Sequence, residues 1–154
     1  MIFRLALLTA ASLAFLLPAA AAPPGLPPQP KVHPAGIPAD AVLVSPCVRG
    51  MGEHWANLKN LPLGPIYGTY RGKPVFSEIM IDKKAFAAGR SYLNLLRPLP
   101  GYTIDHVDVE FVPYGHAGYP IPHYDLHAYY VPHAVHEAFC PNGERQLTAP
   151  PQVP

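Results

Sequence analysis

The chain has 154 residues, with 11 Lys and Arg against 10 Asp and Glu, eight histidines, two cysteines and 22 prolines. A formal net charge of +1 gives neither the basic patch that nucleic acid requires nor the polybasic surface that an anionic membrane attracts. No G-x-S-x-G element, phosphate loop or dinucleotide fingerprint occurs, so a covalent hydrolase and a nucleotide-binding enzyme are disfavoured.

Arg4 is followed by an apolar run from Leu5 to Leu17, ending at Pro18 and a string of alanines. A run too short to span a bilayer and closed by small residues reads as a secretory signal peptide over 1–21. Ala19 and Ala21 place the cut before Ala22, where no cysteine stands to take a lipid. The mature protein is therefore expected in the periplasm or secreted, with no stable membrane anchor. Loss of Arg4 leaves ten basic against ten acidic residues, and the remaining length, about 130 residues, suits a single domain.

Residues 22–38 form a proline-rich linker or wrapping arm, since Pro23-Pro24-Gly25 and Pro27-Pro28-Gln29-Pro30 leave few backbone donors for a ladder. A single β-rich domain is expected over 39–140, and a disordered, proline-rich tail over 141–154. Cys47 and Cys140 flank the folded unit, and export to an oxidising compartment favours a disulfide between them. The rival role is thiolate ligation of copper or zinc, although neither cysteine belongs to a Cys-x-x-Cys pair.

Met51-Gly52-Glu53-His54-Trp55 reads as a loop-like stretch. Pro65 to Tyr70 predicts a short strand, Arg71-Gly72-Lys73 a hairpin turn, and Lys73 to Ile81 a strong strand. On that strand Glu78 lies between Phe76 and Met80 on one face. A carboxylate among apolar neighbours must be paired, neutralised or coordinated, unless an edge position leaves it wet or Arg71 or Lys73 pairs with it. Asp82 to Leu96 is the best helix, capped by Asp82, interrupted by Gly89 and ended by Pro98. Ile104 to Val112 is a strand on which Val107, Val109 and Phe111 form the buried face and His106, Asp108 and Glu110 the wetter one. Prolines punctuate these strands, so the expected fold is mainly β, a small barrel or sandwich with one or two short helices, with α+β as the alternative.

The segment most suggestive of chemistry is His123-Tyr124-Asp125-Leu126-His127, opening a strand that runs to Val131. Alternation puts His123, Asp125 and His127 on one face. Imidazole nitrogen and carboxylate oxygen suit divalent transition metals, zinc or copper first. Taken with the family resemblance given below, this makes His54, Glu78, His123 and His127 the expected ligands, with Asp125 and His116 orienting or gating them, although His54 read by itself is equally well a surface or core histidine. The motif His133-Ala134-Val135-His136-Glu137 lacks H-E-x-x-H spacing and reads as a solvated helical face within a turn or two over Ala134 to Phe139. His33 and His106 receive no role.

Five blocks in order, Met51 to Trp55, Pro65 to Gly68, Gly72 to Met80, Gly115-His116 and Pro122 to His127, resemble a group of small secreted bacterial proteins known as a domain of unknown function, with a Thermus member. The likeness covers roughly residues 45–135. Its members carry P-H-F-D-x-H-F-Y at the last block, so His123, Asp125 and His127 match while Tyr124 replaces phenylalanine. The resemblance implies that His54, Glu78, His116, His123 and His127 belong together, and it implies no activity. Two functions follow as expectations. One is an extracytoplasmic metal-binding module or metalloenzyme of unassigned reaction. The other is a secreted structural or interaction protein without metal, which can be a homo-oligomer.

Overall fold

A computed structural model describes residues 25–143, so the expected signal peptide and nearly all of the expected tail lie outside the described residues. Six strands follow one another: β1 (Val42–Val48), β2 (Gly52–Ala56), β3 (Ile66–Tyr70), β4 (Lys73–Asp82), β5 (His106–Val112) and β6 (His123–Tyr129). They form one antiparallel sheet in the order β1-β2-β3-β4-β6-β5, open at both edges. The protein is thus mainly β, and the sheet does not close into a barrel. Two short helices, α1 (Lys83–Ala87) and α2 (His133–His136), are appended.

Local chemistry explains most of these elements. Arg71 and Gly72 both take positive φ, 52° and 75°, the requirement of a two-residue turn whose twist matches the strands it joins. β4 is central and buried from Pro74 to Ile81, which suits a strand covered on both faces. Asp82 caps α1 by accepting from the Ala85 N–H at 2.8 Å. The helix is far shorter than the expected Asp82 to Leu96, because Gly89 takes φ 72° and Asn94 φ 61°, where a right-handed helix cannot continue. Met51 to Trp55 is also not a loop. Glu53 to Ala56 pair with β3 from Thr69 back to Ile66, so tertiary pairing overrides the glycine and the charged residue.

Cross-strand register decides what shares a face. Opposite Phe76, Glu78, Met80 and Asp82 stand Tyr129, His127, Asp125 and His123 on β6; opposite those four stand His106, Asp108, Glu110 and Val112 on β5. Gly68 pairs with both Phe76 and His54, which brings His54 to the same face. The predicted burial of β5 is therefore reversed. Val107, Val109 and Phe111 are 49%, 62% and 43% exposed, while His106 and Asp108 turn inward, because β5 must follow the register of β6.

On the opposite face the arm residues Ile37 and Ala41 and the segment holding Leu99 and Tyr102 pack over the sheet. Ile37, Ala41, Leu43, Trp55 and Leu99 form one apolar cluster. Gln29 bonds both the N–H and the C=O of Leu43, at 2.8 and 2.9 Å, which satisfies part of the β1 edge. Cys47 and Cys140 form a disulfide across a separation of 93 residues. It ties α2 to the start of the sheet, beside the bond from the Gly50 N–H to the Phe139 carbonyl at 3.0 Å.

Candidate metal centre

The polar face gathers three clusters of ionisable side chains. The first joins β2, β4 and β6 as His54, Glu78 and His127, whose ligand atoms lie within 4.8 Å of one another. His54 Nε2 is 3.8 Å from Glu78 Oε2, and His127 Nε2 is 3.6 Å from Glu78 Oε1. All three are buried; His127 is fully so. The Phe76 ring stands edge-on to both imidazoles, with centroids 5.2 and 4.9 Å away. Its place depends on Gly68, since a Cβ there would collide with the Phe76 ring.

Two members of this triad, His54 and Glu78, line a cavity of about 370 Å³ bounded by Val44, Leu61, Pro62, Ile66 and Met80, with His116 at its wall. Neither an edge position nor Arg71 or Lys73 explains Glu78; the groups closest to its carboxylate are the two imidazoles. Burial pushes Glu78 up to about 7, against the pull of His127. Burial and the neighbouring His127 hold His54 down at about 3. Burial also pulls on His127, but the carboxylates of Glu78 and Glu110 outweigh it and raise that imidazole to about 9. Among the described residues His127 Nε2 and Glu78 Oε2 have no hydrogen-bond partner, which is costly for buried polar atoms without a cation to face.

The second cluster, His116, His123 and Asp125, adjoins the first. His123 Nε2 is 3.0 Å from Asp125 Oδ1, and its Nδ1 reaches the Ile121 carbonyl at 2.6 Å. Burial lowers His123, yet bonding to Asp125 and Ile121 prevails and raises it. The His116 ring stands edge-on to His123 at 4.9 Å. The structure thus splits the expected ligand set, keeping His54, Glu78 and His127 together and grouping His123 with Asp125 and His116.

A third cluster corrects the sequence reading. His133 and His136 are not both on a solvated face: His136 is 4% exposed, stacked on the Tyr129 ring at 3.9 Å. His106, given no role from sequence, joins Asp108, His133 and His136 with ligand atoms within 4.8 Å of one another. Two signals for it existed: the i, i+2 spacing of His106 and Asp108 on one strand face, and the i, i+3 spacing of His133 and His136 on one helical face. Nothing local tied the two pairs together.

Fold and site together define a small, mainly β, disulfide-bonded protein whose sheet face holds buried His/carboxylate clusters able to take a metal ion. No family model matches the chain, and no curated protein matches it. Among solved structures it is similar to the crystal structure of a hypothetical protein, TTHB210, from Thermus thermophilus, with a TM-score of 0.54 and 26% identity over 60% of this chain and 89% of that one. The Thermus likeness read from the five sequence blocks agrees with this match.

Proposed function

We propose that this is an extracytoplasmic metalloprotein in which His54, Glu78 and His127 hold a divalent transition ion, zinc or copper. The observation that carries the reading is the buried triad itself, with His127 Nε2 and Glu78 Oε2 unpartnered and the carboxylate 3.6 and 3.8 Å from the two Nε2 atoms. Two imidazoles and one carboxylate match the donor set of three-ligand zinc sites. A triad facing a cavity leaves room for a water or small ligand, whose pKa a bound cation would lower. His116, at the wall of that cavity, then orients that ligand or passes a proton from it, with His123 and Asp125 clustered behind it. Support for an extracytoplasmic location comes from the disulfide and from the leader-like residues 1–21.

The test is metal content. The full chain, exported by its own leader without an affinity tag, is stripped, reloaded with Zn²⁺ or Cu²⁺ and assayed for metal per chain beside Glu78→Gln. Stoichiometric uptake that Glu78→Gln diminishes by one ion is the expected result. Uptake that stays well below one ion per chain after reloading would sink the reading in favour of a secreted structural or interaction protein.

A further inference from the structure

We infer that His106, Asp108, His133 and His136 form a second metal site, independent of the triad on β2, β4 and β6, for a zinc-class divalent cation. Asp108 Oδ2 is the hub: it lies 3.7 Å from His106 Nε2, 3.6 Å from His133 Nδ1 and 3.6 Å from His136 Nε2. His133 Nδ1 and His136 Nε2 are 3.0 Å apart. Four donors tetrahedral about an ion at 2.0–2.1 Å must stand about 3.3–3.4 Å from one another. The four measured separations bracket that edge length.

The tautomers point the same way. His136 Nδ1 donates to the Gly50 carbonyl at 2.8 Å, and His106 Nδ1 donates to Asp105 Oδ1 at 2.9 Å. Each ring therefore presents an Nε2 lone pair toward Asp108, the outer-acceptor arrangement that fixes metal-binding imidazoles. A hydrogen bond from His133 Nδ1 can satisfy His136 Nε2. None satisfies His106 Nε2, which is buried and without a hydrogen-bond partner among the described residues, and which faces a carboxylate too distant to share a proton. Lone pairs converging on a carboxylate call for a cation between them.

The site is built and yet reachable. Tyr129 forms its floor, with ring centroids 5.1 Å from His106 and 3.9 Å from His136. The disulfide and the Gly50 contacts fix α2 over β5. A cleft of about 330 Å³ leads to it, with Glu110 and Glu137 on its walls. His133 is 63% exposed, so it is the ligand that closes on the ion. Three imidazoles and one carboxylate select zinc-class ions over Mg²⁺ or Ca²⁺, which prefer oxygen.

Zn²⁺ alone, titrated into the stripped, disulfide-bonded full chain, tests this. Wild type is expected to take up two ions per chain. Asp108→Asn, which preserves shape, and His133→Gln, at an exposed position, should each leave one ion tightly bound. The other should weaken by more than the roughly 100-fold upper effect of losing an outer hydrogen-bond partner. Glu78→Gln should spare this site and lose the triad's ion. Unchanged stoichiometry and affinity in folded Asp108→Asn and His133→Gln would overturn the inference, as would one ion per chain that Glu78→Gln abolishes. One ion lost with His133→Gln but kept with Glu78→Gln would support it while defeating the triad reading. Should a variant fold poorly, anomalous diffraction at the zinc edge from zinc-loaded wild type decides: a peak among the four side chains supports the site, and its absence refutes it.

Discussion

The two candidate metal sites differ in what holds them. The inner triad is set by strand register alone: β4 and β6 are direct neighbours, β2 reaches the same face across Gly68 of β3, and its side chains are almost wholly hidden from water. The outer cluster joins an edge strand to a four-residue helix, and its geometry depends on the Cys47–Cys140 bond and on the His136 contact to Gly50. The inner site is therefore rigid and costly when empty, while the outer one is adjustable and partly hydrated. Preorganisation by the sheet suits binding a small ligand at a fixed ion; closure by a helix suits retention of an ion that strengthens the fold.

Cutting the disulfide should separate the two most sharply. Cys47→Ala with Cys140→Ala removes a crosslink spanning 93 residues, worth roughly 4–5 kcal/mol in the chain-entropy model. The urea midpoint should fall accordingly, and zinc affinity should drop at the outer cluster while the triad keeps its ion. Equal loss at both sites would erase the distinction drawn between them.

His127→Ala strikes the other side. It leaves Glu78 buried without its nearest imidazole, a change of the kind that costs about 3–5 kcal/mol when one partner of a buried pair is removed. Ion binding at the triad should vanish, and chemical denaturation should register the lost stability. Retention of wild-type affinity there, with the outer cluster disabled by Asp108→Asn, would contradict the assignment.

A smaller effect is expected at Asp125, whose carboxylate is 3.0 Å from His123 Nε2 and acts on Glu78 and His127 through its charge. Asp125→Asn should weaken the triad's ion by about 10- to 100-fold if it acts through neighbouring imidazoles, and leave the outer cluster unchanged. Competition with a chromophoric chelator measures both sites in one titration.

The smallest effect is a proton count. In the metal-free protein His127, raised to about 9, is protonated at pH 8, Glu78, raised to about 7, is ionised, and His54, lowered to about 3, is neutral. An ion must displace the proton on His127, so binding at the triad at pH 8 should release about one proton. Release should fall away above pH 9 and grow below pH 7, where Glu78 also carries one. Calorimetry of Asp108→Asn in buffers of different ionisation enthalpy reads this number; no release at pH 8 would mean His127 is not a ligand.

Much of this was legible in the chain because it is local. The Arg71-Gly72 turn, the strands over Lys73–Asp82, His106–Val112 and His123–Tyr129, and the shared face of His123, Asp125 and His127 follow from turn chemistry and period-two alternation. Phe76 and Met80 beside Glu78 offered burial as one reading, and only the central place of β4 in the sheet removed the alternative of a wet edge. Three features were not. The Met51 to Trp55 segment carries glycine and glutamate and becomes a strand only by pairing with β3. The inward face of β5 is chosen by its register with β6 and not by its own apolar row. The outer cluster unites residues 106 and 108 with 133 and 136 through a helix that the sequence shows only as a polar turn. Alternation and turn signals act over a few residues and are written in them; which faces meet, and hence which histidines converge on one carboxylate, is decided by pairing between distant segments, where burial and hydrogen bonding outweigh local preference.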